Sequence, residues 1–89
     1  MFLGKVVGTV WATRKDENLV GMKFQIIKHV GLDYRVKDTF VVAVDTVQAG
    51  VGDIVLVVSG SSARLTELTK NKPVDAVIMA VVDKLDVPD

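Results

Sequence analysis

Apolar residues recur at every second position along most of this chain, rather than at the 3.6-residue spacing of a helix. In the first run Phe2, Gly4, Val6, Gly8, Val10 and Ala12 share one face and are all apolar or small. Leu3, Lys5, Val7, Thr9, Trp11 and Thr13 make a mixed opposite face. The pattern predicts a half-buried strand, with glycines where the sheet bends or packs closely. Residues 14–18 are polar and predict a turn. A second strand follows, with Met22, Phe24 and Ile26 inward and Lys23, Gln25 and His29 outward. Residues 31–35 predict a loop. Residues 39–44 and 54–58 predict strands that are apolar on both faces, separated by a turn over 45–53 that contains Gly50 and Gly52. Residues 63–69 predict one or two helical turns, stopped by Asn71-Lys72-Pro73. Residues 76–85 predict a last strand, and the polar tail 86–89 is expected to fray.

Five strands, short connections and one small helix define an all-β fold: a small five-stranded OB-like barrel in one domain over residues 1–89. Strands apolar on both faces need a layer on each side, yet a barrel has only one interior. The outer faces of strands three to five are therefore expected to meet other subunits. Composition sharpens this. Of the 89 residues, 49% are hydrophobic, and valine alone is roughly a fifth, far above average usage. A domain this short buries only about 60–65% of its unfolded surface. The surplus must face another subunit, a membrane or a ligand. Lys5, Lys23, Lys28, Asp45, Asp53 and Asp83 interrupt every apolar stretch well before the roughly 18 residues of a membrane span, so association between copies is the reading that remains. The first 13 residues have no signal-peptide pattern.

The same composition removes several kinds of chemistry. The chain has no cysteine, which excludes disulfides and thiolate metal sites and suits a reducing cytosol. Its 11 basic and 11 acidic residues cancel, leaving no bulk field to attract nucleic acid. Phe24, Tyr34 and Phe40 are not interleaved with a basic cluster, as a single-strand platform requires. His29 is the one histidine and has no ligand-spaced companions; on a polar strand face it reads as solvated. Asp45, Asp53, Asp75 and Asp83 lie mostly at strand ends, where aspartate caps turns. Ala49-Gly50-Val51-Gly52 lacks the third glycine and following helix of a dinucleotide fingerprint. Ser59-Gly60-Ser61 lacks the second glycine of a nucleophile elbow, and His29 is the only base the chain offers it.

One segment remains. The valine-rich run at 54–58 stops at Ser59-Gly60-Ser61-Ser62-Ala63-Arg64, the only cluster of small polar residues in the chain. Locally, Ser61 or Ser62 is expected to cap the short helix. Small hydroxyl residues and free backbone N–H groups can also meet an anion or line a polar opening.

These residues, with others in the same order, carry a family resemblance. They are Gly8-Thr9-Val10, Leu19-Val20-Gly21-Met22-Lys23, the run 44–53 (VDTVQAGVGD), the run 57–64 (VVSGSSAR), the run 73–78 (PVDAVI) and Val81-Val82-Asp83. The chain resembles the pentameric shell-vertex proteins of bacterial microcompartments, the EutN/CcmL group of ethanolamine-utilisation and carboxysome vertex proteins. One departure is Gln48, where the family commonly has glycine, and it bears on that turn's backbone angles. The resemblance implies an OB-like barrel assembled as a cyclic homopentamer that plugs the fivefold corners of a shell lying in the cytoplasm. Its facets would be hexameric tiles, the expected partners. It implies no cofactor, no enzymatic activity and no nucleic-acid or membrane partner. It places Gly60, Ser61, Ser62, Ala63 and Arg64 near the fivefold axis, around a narrow pore. Arg64 would serve as an inter-subunit ion pair or as a pore-facing charge. The competing readings are a small oligomeric OB-type module binding a small molecule or single-stranded nucleic acid, and a hydrolase built on the serine loop.

Overall fold

In the computed structural model, which describes residues 1–88, the alternating segments become five strands. They are β1 (Phe2–Val10), β2 (Phe24–Val30), β3 (Val36–Asp45), β4 (Ile54–Ser59) and β5 (Ala76–Val82). They close into a barrel in the order β1-β2-β3-β5-β4. All pairings are antiparallel except β3 with β5, which touch through only Val44↔Val77 and Asp45↔Ile78. A bond from Thr46 Oγ1 to the Ile78 carbonyl, 2.7 Å, clamps that short parallel seam. The expected all-β, five-stranded architecture is the one observed. The helical content differs. Two short 3-10 helices occur, at Glu17–Leu19 and Gly60–Arg64, and the helix expected over 63–69 lies earlier, inside the serine loop itself.

Val6, Ile27, Ala43, Val55, Val57 and Ile78 fill the barrel and are essentially unexposed. Gly4 makes this possible. A Cβ there would strike Ile27 Cγ2 and stand 3.0 Å from the Lys28 carbonyl oxygen, so β1 and β2 approach closely only because the side chain is absent.

The strand phases depart from simple alternation in two places. On β1, Val6 faces Ile27 but Gly8 faces Ile26, so Val7 is an extra residue in a β-bulge. The bulge flips the face: Val6 is interior before it and Thr9 after it, while Gly8 and Val10 turn outward. On β2, the interior residues are Gln25 and Ile27 rather than Phe24 and Ile26. Met22 is buried, but outside the barrel. The polar Gln25 wins an inward position because its amide is fully satisfied there. Its Oε1 accepts from Thr9 Oγ1 at 2.7 Å, and its Nε2 donates to the Ala49 carbonyl at 2.9 Å and to Asp45 Oδ2 at 3.3 Å. Asp45 Oδ1 also accepts from the Val47 amide at 3.0 Å. A buried amide without such partners would cost about 1–3 kcal/mol.

A second apolar cluster lies on the outside of the barrel. Met22, Val44, Ala63 and Val77 are buried there, packed by Leu19, Phe24, Val58 and Val74. The segments before β2 and after β4 thus cover part of the outer surface that the strand pattern left apolar. The strand expected at 39–44 also begins earlier, at Val36, and its exposed start forms a hairpin with the end of β2.

The turn between β3 and β4 contains Gln48 at φ +59°, in the left-handed region. That is the position where the family commonly carries glycine, which explains the substitution's one structural consequence. A side chain in this region costs about 1–2 kcal/mol, and glycine's extra chain entropy offsets about half of the gain from removing it. Gln48→Gly is expected to raise unfolding stability by about 0.5 kcal/mol, while Gln48→Ala, which keeps the Cβ, gives no such gain. Thermal and denaturant unfolding followed by circular dichroism checks this, and a destabilised glycine variant would contradict it.

Candidate functional site

The candidate site is the loop between β4 and β5. β4 ends at Ser59 with extended backbone, and Gly60 turns the chain at φ +68°, where a side chain would be strained. The Gly60 amide donates to the Asp75 carbonyl at 2.8 Å, which ties the start of the loop to its end just before β5. Between them Gly60–Arg64 forms one 3-10 turn, closed by a bond from the Leu65 amide to the Ser62 carbonyl at 3.2 Å. Ser61 and Ser62 lie within this turn. The residue in the capping position is Ser59, and its side chain makes no capping bond.

The five residues singled out from the sequence do not share one orientation. Ser61, Ser62 and Arg64 are exposed, and Gly60 lies open beside them. Ala63 is fully buried in the outer cluster against Met22, Val44 and Val77. It anchors the loop and offers no surface. Gly60, Ser61 and Arg64 share an open cleft with Pro73, Val74 and Asp75. Among the described residues no carboxylate lies within 4.0 Å of the Arg64 guanidinium; the one ion pair found is Arg35 with Asp33, at 3.5 Å on the surface.

The residues that hold this loop escaped the sequence reading. Thr69 is fully buried, and its hydroxyl donates to the Ala63 carbonyl at 2.6 Å. The Thr69 amide donates to Thr66 Oγ1 at 3.1 Å. The three-residue spacing of Thr66 and Thr69 was the available signal, since a threonine hydroxyl reaches a backbone amide at that distance. Together these bonds make a rigid platform under an exposed, small-residue turn.

Other candidates do not converge here. His29 faces the Phe2 ring, with centroids 4.4 Å apart, and its Nδ1 lies 2.8 Å from Thr39 Oγ1, a packing arrangement rather than the solvated one expected. No group of three or more His, Cys, Asp or Glu side chains among the described residues is placed to hold a metal. Asp53 caps its turn, accepting from the Gly50 amide at 2.8 Å.

The family described as "Ethanolamine utilisation protein EutN/carboxysome" matches residues 1–83. This chain belongs to the EutN/CcmL family. A carboxysome shell vertex protein, CcmL, of Thermosynechococcus vestitus is 40% identical over 83 residues, covering 93% of this chain and 84% of that protein. The microcompartment shell vertex protein GrpN of Rhodospirillum rubrum is 40% identical over 86 residues and covers 97% of each chain. Among solved structures, CcmL of Gloeobacter violaceus superposes with a TM-score of 0.93 at 34% identity, covering 98% of this chain and 90% of that one. The structure of GrpN, a pentameric microcompartment shell protein, superposes with a TM-score of 0.89 at 39% identity, covering 99% and 100%. These EutN/CcmL relatives share the closed barrel over nearly their whole length.

If the threonine platform holds the serine loop, Thr69→Val removes the hydroxyl's bonds to the Ala63 carbonyl and to Thr66 Oγ1 while keeping the amide's bond and most of the volume. Hydrogen exchange of amides in 63–69 is expected to quicken by about 5–30-fold, the equivalent of about 1–2 kcal/mol, with the strand amides unchanged. A uniform change across strands and loop would contradict a local role.

Proposed function

We propose that this chain is a structural shell protein that forms cyclic homopentamers and caps the fivefold vertices of a bacterial microcompartment, within the cytoplasm. The observation that carries the reading is the full-length agreement of its barrel with GrpN, a pentameric microcompartment shell protein, at a TM-score of 0.89. Its immediate partners are four further copies of itself. Hexameric shell tiles surround the resulting ring.

In this reading the Gly60–Arg64 turn lies beside the fivefold axis. Three features support that placement. The exposed side chains of Ser61 and Ser62 are small, as an axis demands, because each is repeated five times in little space. The turn is preorganised by Gly60, Ala63 and Thr69, so ring closure requires little further ordering. Arg64 is exposed and pairs with no carboxylate among the described residues, which leaves it available to a neighbouring subunit or to the opening. The role asked of the chain is mechanical: to close a surface with a stable, nearly sealed plug. Relatives named as shell vertex proteins do the same work in carboxysomes and other microcompartments.

Native mass spectrometry is expected to return a species of five protomers. Ser61→Trp crowds five indoles at the axis. It is expected to leave the barrel's circular dichroism unchanged while abolishing the five-subunit species or weakening it by at least about tenfold. A Ser61→Trp pentamer of ordinary stability would count against the axial placement, and a wild-type monomer or dimer at micromolar concentration would overturn the vertex reading itself.

A further inference from the structure

The connection that leaves β1 carries a second concavity, which shares no residue with the serine-loop cleft. Trp11 follows the last residue of β1 and Lys23 precedes the first residue of β2, so the two stand immediately beyond the pair Val10↔Phe24. The indole is 88% exposed, the highest value among the large apolar side chains of the described residues. With Lys15, Met22 and Phe24, these two residues line a cavity of about 450 Å³. Met22 is buried in the outer cluster and gives the cavity a fixed wall. Lys15 is held over the loop, where its Nζ donates to the Ala12 carbonyl at 3.1 Å. An ammonium carries three donors, so two remain free for a ligand. The other polar side chains nearby are committed. Thr9 Oγ1 donates to Gln25 Oε1, and the Asp16 carboxylate accepts from the amide and the side chain of Asn18. Among the described residues no acidic side chain lines the cavity.

These features set the chemistry of an occupant. The volume falls within the roughly 300–1,000 Å³ of a small-molecule site. The uncommitted polar side chains, Lys15 and Lys23, are both cationic, so a ligand has to bring negative charge. Lysine meets phosphate as a point charge. Its donors also match the acceptor-only oxygens of a phosphate and leave the N–H groups of a peptide without side-chain partners. The indole supplies the complementary half, because an exposed aromatic ring stacks on the π-face of any nucleobase. A strand of nucleic acid would need successive aromatic platforms, and Tyr34 and Phe40, the other exposed aromatics, lie outside this cavity. One ring and two ammoniums fit one base and its phosphate. We propose that this cavity binds a nucleoside phosphate, with Trp11 against the base and Lys15 and Lys23 on the phosphate. The site lies within one protomer, is additional to the shell role above, and makes no demand on the number of copies in the ring.

Trp11 is the only tryptophan in the chain, so its fluorescence reports on this cavity. The full chain is titrated with ADP, adenosine and inorganic phosphate, by fluorescence and by isothermal titration calorimetry in parallel. ADP is expected to quench Trp11 saturably with a Kd below about 1 mM, and adenosine and phosphate each to bind at least about tenfold more weakly. The double variant Lys15→Ala/Lys23→Ala is expected to lose about tenfold or more in ADP affinity. Trp11→Ala, followed by calorimetry, is expected to lose about 5–100-fold. All three side chains are exposed, so the circular dichroism of these variants stays that of the wild type. Lys37→Ala is the control. Lys37 is exposed at the start of β3, whereas Phe24 pairs with Val44 near its end, and its loss leaves ADP affinity unchanged. An ADP Kd weaker than about 1 mM for the wild type overturns the proposal. So does phosphate or adenosine binding as tightly as ADP, which would make the indole or the lysines bystanders. An equal loss of affinity in Lys37→Ala overturns it too, since that would show charge attraction without a site.

Discussion

A five-stranded barrel has one interior, and this chain carries more apolar side chain than that interior holds. Eight buried aliphatic residues make up the interior cluster, and Gly4 must give up a side chain to let Ile27 fit. Val42, Val44, Val58 and Val77 lie on strands but outside that core. Each of them needs cover from outside the barrel. The protein supplies that cover in two ways. Residues 19–22 and the serine loop fold back over Val44 and Val77 to make a second cluster, and beyond its edge Val42 and Phe40 stay open. The homopentamer proposed above would bring further copies to this incomplete outer layer.

The serine loop is coupled to the same constraint. Ala63 is both part of the 3-10 turn and part of the outer cluster, so the turn is fixed in place by the packing that hides Val44. Thr69 then locks the strand-distal side through the Ala63 carbonyl. A loop built in this way differs from an ordinary surface connection, which has few buried anchors and opens easily. Exposed serines on a fixed frame suit a place where several copies must meet with the same geometry. A flexible loop would have to lose conformational entropy in every copy as the ring closed.

Much of this was legible in the residues. Period-two patterning located all five strands, and the segments 44–53 and 57–64 carried the family resemblance that the comparisons confirm. Three things were not legible, for identifiable reasons. The bulge at Val7 reverses β1's face, and nothing in an alternating run marks where one extra residue will be inserted. Gln25 points inward because Thr9, Asp45 and Ala49 converge on it, and those partners come from elements far apart in the chain. Polarity alone placed it outside. The helix was expected over 63–69, where the better helix formers lie, whereas the turn forms where Gly60 supplies a left-handed angle and Asp75 an acceptor. In each case a tertiary contact outweighed a local preference. Within the segment 60–64 the orientations were not legible, since burial of Ala63 depends on Met22, Val44 and Val77.

The charge distribution points the same way as the apolar faces. With 11 basic and 11 acidic residues, the described part of the protomer forms a single ion pair, between the near neighbours Asp33 and Arg35. Exposed pairs contribute little to folding, so their scarcity costs the barrel almost nothing. Charges that are not paired internally remain available to set register and exclude wrong partners when surfaces meet. Lys28 beside Phe40, and Arg64 at the end of the serine turn, both stand at the margins of surfaces that the chain leaves incomplete. Apolar area drives contact without direction, and a ring of five needs direction, because a small error in the angle between neighbours would leave the ring open or close it at another number. Rim charges on a rigid barrel are the means by which a small subunit can specify that angle.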